Sequence, residues 1–154
     1  MNKGEAIRYG IRAGKTLAAA ESLTGGMIAS DVCAVPGASS IFQGGFVTYQ
    51  DDVKEQILGV SSDVITKHSA VSAACARQMA AGAREKLHTD YALSATGYAG
   101  PTGDNVGLVF IGLASQNRTA VRRLRLSGSR TAIRQMTANL ALWTWIQAIK
   151  NNEE

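Results

Sequence analysis

Short apolar runs alternate along this chain with segments whose apolar residues recur every three or four positions, and most of these stretches end in a turn rich in glycine or hydroxyls. Residues 2–13 place Ile7 and Ile11 on one helical face and stop at Gly14, so they read as a helix with a left-handed cap. Residues 16–20 are an apolar run of strand length, and 27–35 resume helical spacing. Between them, Glu21-Ser22-Leu23-Thr24-Gly25-Gly26 is a strand-to-helix turn. Residues 44–49 have the β-branched and aromatic make-up of a second strand. Asp51 is then expected to cap a short helix carrying Val53, Lys54, Ile57 and Leu58, and a second short helix, 62–67, follows the Gly59-Val60-Ser61 break. Residues 72–87 form a longer, alanine-rich helix, and 91–96 a strand that runs into the glycine-rich loop 97–103. The strands 106–115 and 119–126 are separated only by Gln116-Asn117-Arg118, which makes them an antiparallel pair. A helix from 129 to about 150 closes the pattern, with Ile133, Met136, Leu140, Trp143, Ile146 and Ile149 on a broad apolar face.

Helices and strands in this order, with one antiparallel pair, predict an α/β fold with a mixed sheet, formed by a single domain over residues 1–154. Composition agrees: 45% apolar residues, 6% aromatics, 16 glycines and two prolines describe a compact core packed largely by alanine and exclude a disordered chain. A net charge of +4 permits an anionic substrate, but no basic stripe with interleaved aromatics marks a nucleic-acid binder. No apolar run approaches a membrane span, and residues 1–15 are amphipathic without a signal-peptide core, so a cytoplasmic protein without membrane partners is expected. Cys33 and Cys75 lack metal-ligand spacing and read as reduced, packed thiols, with no metal or cofactor implied.

The chemistry concentrates where predicted strands end, which is where α/β sheets collect ligands. Ser22 and Thr24 lie beside the unpaired N–H groups of a helix start, and Gly25 and Gly26 let a ligand approach that backbone. Such a turn can hold an anion or a developing oxyanion, or its hydroxyls can simply cap the helix. A second glycine loop, Thr96-Gly97-Tyr98-Ala99-Gly100, follows another strand, and neither loop matches a Walker or dinucleotide fingerprint. Lys54 falls in the first turn of its helix, where the macrodipole favours the neutral amine while Asp51 and Asp52 oppose it; a solvated lysine is the plainer alternative. Arg130 and Arg134 stand one turn apart at the start of the last helix, a spacing suited to a carboxylate or phosphate, or to an ordinary surface face. Arg122, Arg123 and Arg125 read as solvated, and His68 and His88 as structural.

Several stretches carry a family resemblance: Ala20-Glu21-Ser22-Leu23-Thr24-Gly25-Gly26, Val35-Pro36-Gly37-Ala38-Ser39-Ser40-Ile41-Phe42, Gly45-Phe46-Val47-Thr48-Tyr49, Lys54, Leu58-Gly59-Val60, His68-Ser69-Ala70-Val71-Ser72 and Thr96-Gly97-Tyr98-Ala99-Gly100-Pro101. In order and spacing the chain resembles the CinA C-terminal domain family, which includes bacterial nicotinamide-nucleotide amidases. The resemblance implies a three-layer α/β/α fold and a metal-free serine amidase, often homodimeric, that hydrolyses nicotinamide mononucleotide to nicotinic acid mononucleotide and ammonia. It implies Ser22 as nucleophile, Lys54 as general base, and Ser39 and Tyr49 near that pair to relay a proton or orient the lysine. The N–H groups of Thr24, Gly25 and Gly26 are then candidates for the oxyanion hole. By the same correspondence Thr96 and Gly97 to Gly100, including Ala99, line the nucleotide site, and Arg130, with Arg134 as second choice, meets the phosphate. The chain departs from the family pattern at Leu23, where a cysteine is usual, at Ser72-Ala73-Ala74, which lacks an acidic residue, and after Gly103, where a longer loop is common. These departures keep a second expectation open, a nucleotide-binding paralogue that is inactive or differently selective.

Overall fold

The computed structural model describes residues 1–152. Its elements are α1 (Lys3–Ala13), β1 (Leu17–Glu21), α2 (Met27–Cys33), a 3-10 turn (Ala38–Ser40), β2 (Phe42–Val47), α3 (Asp51–Leu58), α4 (Ser62–His68), α5 (Ala73–Leu87), β3 (Tyr91–Gly97), β4 (Leu108–Ala114), β5 (Thr119–Arg125) and α6 (Arg130–Asn152). The five strands form one sheet in the order β2-β1-β3-β4-β5. β1 runs parallel to both neighbours, whereas β3–β4 and β4–β5 are antiparallel, so the sheet is mixed as the hairpin predicts.

Alternation along the strands divides the core between two faces. Leu17 and Ala19 of β1, with Leu93 and Ala95 of β3, pack against α1, α2 and α6, where Trp145 is fully buried. Ala18 and Ala20 face the other way, onto Cys75, Met79, Ala80 and Ala83 of α5 and onto Leu58 at the end of α3. Three layers result, α/β/α. Small residues in β1 let the helices sit close, and Gly82 of α5 takes this furthest: a Cβ there would lie 2.1 Å from the Leu58 carbonyl oxygen.

Local chemistry explains most element ends. Asn2 and Glu5 form a reciprocal capping box on α1, and Gly14 closes that helix at φ 68. Ser72 caps α5 by accepting from the Cys75 N–H at 3.1 Å. Among the details that differ from the sequence pattern, β2 spans Phe42–Val47 rather than 44–49. Gln50, not Asp51, occupies the N-cap of α3; Asp51 and Asp52 sit inside the first turn, where carboxylates complement the macrodipole. β4 begins at Leu108 rather than 106 because Asn105 and Gly107 take left-handed conformations, φ 60 and 91, that a strand cannot continue through. Cys33, expected to be packed, is exposed at the last turn of α2, while Cys75 is buried. Among the described residues no helix is long and apolar enough to cross a membrane.

Candidate active site

Ser22 is the first residue beyond β1, and its N–H still donates to the Ala95 carbonyl at 2.9 Å, which fixes the point where the chain leaves the sheet. Capping of α2 falls to its neighbour. Glu21 is 1% exposed, and its carboxylate accepts from the N–H groups of Gly26, Ile28 and Ala29 at 3.2, 2.9 and 3.0 Å. The Ser22 hydroxyl is therefore released from the capping role that the turn alone would suggest. On the adjacent strand, the Thr48 N–H donates to the Glu21 carbonyl at 2.8 Å and carries the chain to Tyr49 and α3. Lys54, 1% exposed, points back from α3: its Nζ lies 3.2 Å from Ser22 Oγ and donates to the Tyr49 carbonyl at 2.9 Å.

Burial pushes the Lys54 ammonium below the usual lysine range; Cys75, Asp51 and Tyr49, anionic when ionised, act more weakly the other way. Desolvation is thus the largest cause of the lowered pKa. The Cys75 thiol is itself pushed up to about 11 by burial, so it stays neutral beside the amine.

Ser22 and Lys54 open into a cavity of about 310 Å³. Its walls come from three adjacent strand ends: Ser22 and Leu23 after β1, Tyr49 and Asp51 after β2, and Thr96 to Gly100 around the end of β3. Arg130 reaches across from the start of α6, donating to the Gly100 carbonyl and, at 3.3 Å, to the Tyr49 hydroxyl. The Thr96 hydroxyl donates to the Ala70 carbonyl at 2.8 Å, which aligns the wall rather than leaving a free donor. A larger hollow of about 540 Å³ beside Arg84, Glu85 and His88 contains no nucleophile–base contact.

Of the residues singled out in the sequence, Ser22, Lys54, Tyr49, Thr96, Gly97, Ala99, Gly100 and Arg130 are brought together on this cavity. Ser39 is not. It lies in the exposed turn before β2, at the end of the sheet where Leu17 pairs with Phe42, whereas Ser22 follows the opposite end. Arg134 is also committed elsewhere: Nε donates to the Leu23 carbonyl at 2.7 Å and Nη2 to the Thr24 carbonyl at 3.4 Å, so it braces the back of the Ser22 turn. Of the three oxyanion candidates only Thr24 keeps an unpaired N–H, and Leu23 joins it. The Gly25 N–H donates to the Ser22 carbonyl at 3.1 Å and the Gly26 N–H to Glu21, whereas the N–H groups of Leu23 and Thr24 have no acceptor among the described residues. The Thr24 side chain is wholly buried, its hydroxyl without a partner, and does not line the cavity. Glu21 and Asp51 are residues whose place at the site the sequence reading missed, whereas Tyr98 falls within the range 97–100 that it gave. For Glu21 a signal existed, an acid closing an apolar run just before a helix start.

The CinA C-terminal domain profile matches residues 3–149. The chain belongs to the CinA C-terminal domain family. Among sequence relatives, a CinA-like protein of a Geobacter species is 47% identical over 139 residues, covering 88% of this chain and 33% of that protein. A putative competence-damage inducible protein of Caldanaerobacter subterraneus is 46% identical over 125 residues, covering 79% and 30%. This chain thus spans about a third of the length of the curated relatives it matches. Solved structures match over nearly their whole length. A CinA superfamily protein from Klebsiella pneumoniae aligns with a TM-score of 0.92 at 29% identity, covering 98% of this chain and 99% of that one. The competence/damage inducible protein CihA from Agrobacterium tumefaciens gives 0.91 at 35%, covering 96% and 95%. This CinA-family chain therefore has the three-layer mixed-sheet fold that its motifs implied.

Proposed function

We propose that this CinA-family protein hydrolyses the carboxamide of nicotinamide mononucleotide, giving nicotinic acid mononucleotide and ammonia through a Ser–Lys pair. The observation that carries this reading is the 3.2 Å contact between Ser22 Oγ and a lysine amine buried to 1% exposure, at the wall of a cavity. A serine attacks an amide only if a neighbour removes its proton, and a lysine does so only when neutral. Ser22 Oγ adds to the amide carbon as Lys54 Nζ takes the hydroxyl proton, and the carbonyl oxygen becomes an oxyanion, for which the unpaired Leu23 and Thr24 N–H groups of the Ser22 turn are the candidate donors. Collapse of this intermediate breaks the C–N bond, with the Lys54 proton passing to the departing ammonia. Water, deprotonated by the again neutral Lys54, then adds to the ester carbon and releases the acid and Ser22. Arg130, held by the Gly100 carbonyl and the Tyr49 hydroxyl, is the group that meets the phosphate.

Incubation with nicotinamide mononucleotide should yield equal amounts of ammonia and the acid. Ser22→Ala and Lys54→Ala should each lower turnover roughly a thousandfold or more, and the double variant should be little worse than either, because the two act as one unit. Losses that multiply would contradict a cooperating pair. One observation favours a second reading. The segment 101–105 is short and exposed, so the nucleotide is less enclosed than the family's commoner long loop implies, as suits a binder of altered selectivity. Tight binding of the mononucleotide without any ammonia would decide for that alternative.

A further inference from the structure

Large apolar side chains left exposed in the described structure are few: Met1, Val47, Tyr49, Ile57 and Tyr98. The two aromatic ones, 54% and 36% exposed, both line the cavity of Ser22 and Lys54. Their placement follows from strand order. Ser22 follows β1, Tyr49 stands two residues beyond β2, and Tyr98 follows the last residue of β3, so the nucleophile leaves the strand that lies between the strands carrying the two tyrosines. Neighbouring strands lie about 4.8 Å apart, which puts the β2 and β3 backbones about 10 Å apart. Two aromatic contacts in series, with centroid separations of about 4.5–7 Å each, need about 9–14 Å. One ring fits that interval.

Both tyrosines are anchored, Tyr98 through its backbone alone. The Tyr98 N–H donates to the Leu108 carbonyl at 3.0 Å and its carbonyl accepts from the Gly107 N–H at 2.7 Å. Tyr49 is held through its carbonyl by Lys54 and through its hydroxyl by Arg130. Gly97 and Ala99 flank Tyr98 and leave its ring without a bulky neighbour in the chain. An exposed carboxylate, Asp51, lies on the same cavity wall. Electron-rich phenol faces with a nearby carboxylate favour a flat ring that carries positive charge.

We propose that Tyr98 and Tyr49 form a one-ring slot for a cationic heteroaromatic ring and present its exocyclic amide to Ser22, with Tyr98 the specificity-determining member. The slot rests on the amidase reading, since an N-ribosylated pyridinium ring bearing a carboxamide is the ligand class it fits. Tyr49 is bound to Arg130 and Lys54; Tyr98 makes no such side-chain bond and is free to serve recognition alone.

The test uses a Ser22→Ala parent, so that ligand is not consumed, and calorimetric titration of nicotinamide mononucleotide and of ribose 5-phosphate, which lacks the ring. Tyr98→Leu should weaken the mononucleotide roughly tenfold and leave ribose 5-phosphate unchanged, while Tyr98→Phe should stay within about twofold of the parent for both. A near-ultraviolet difference band on mononucleotide binding, from pyridinium stacked on phenol, should vanish in Tyr98→Leu. Undiminished mononucleotide affinity in Tyr98→Leu overturns the slot and leaves the pyridine-nucleotide reading standing, as does an equal loss for both ligands. A parent that binds neither ligand removes that reading and the slot together.

Discussion

An amine enclosed to 1% exposure keeps its proton poorly, because the protein cannot replace the water that an ammonium loses. Below the lowered pKa of Lys54 the amine is charged and cannot receive the Ser22 proton, so kcat/KM should rise with pH through that value and then level. A rate flat from mildly acidic to alkaline pH would speak against Lys54 as base. Asp51 stabilises the charged form, so Asp51→Asn should move the rising limb to lower pH, by the modest amount that an exposed carboxylate carries. A rising limb that stays put or moves upward, in a pH–rate profile of both proteins, would contradict this. At this scale the identities of Ser22 and Lys54 were legible in their motifs. The reason for the lysine's lowered pKa was not, because burial is a property of how α3 packs on α5, which spacing along the chain does not encode. Ser39 and Arg134 fail for a related reason: motif adjacency says nothing about which end of a sheet a turn occupies, or whether a guanidinium is already engaged.

Elements carry the site by close packing. α3 presents Lys54, and its last residue, Leu58, abuts α5 so tightly that a Cβ on Gly82 would lie 2.1 Å from the Leu58 carbonyl oxygen. Neither backbone can yield cheaply, so Gly82→Ala should cost about 1–3 kcal/mol of stability despite the better helix propensity of alanine. Displacing α3 should also lower kcat more than it raises KM. Urea unfolding and steady-state kinetics measure the two effects, and an unchanged midpoint would show that the helices part freely. Helices and strands were largely legible because the chain keeps clean periods, 3.6 for α6 and short apolar runs for β1 and β3. The 3-10 turn was not, since residues 38–40 bear no signal beyond a generic Pro-Gly turn. The cap of α3 also escaped, because Asp51 is as good a first-turn residue as it is a cap.

For the whole molecule, the buried lysine is a liability. Lys54 loses its proton at lower pH when folded than in the unfolded chain, where lysine titrates near 10.5. Between those values unfolding takes up a proton, so stability rises with pH; below the folded value the full penalty applies, and above about 10.5 it has gone. Lys54→Met should therefore be more stable than the parent at pH 7, by roughly 0.5–2 kcal/mol, with the advantage shrinking as pH approaches 10. Chemical denaturation at both pH values checks this, and a constant difference would locate the effect elsewhere. An α/β fold with a mixed sheet was legible from element order and its three layers from the family resemblance, and the gathering of the site at adjacent strand ends follows from that plan. The loop 98–106 stands apart from this economy of charge. Its two roots are fastened to each other, Tyr98 to Leu108 and Gly107 to Tyr98, while the nucleophile and base hang from β1 and α3. Length and sequence can change beyond that fastening without disturbing the sheet. On the proposed reading, reactivity and choice of substrate become separable parts, and an engineer could exchange the loop between relatives as a cassette while the Ser22–Lys54 pair is inherited intact.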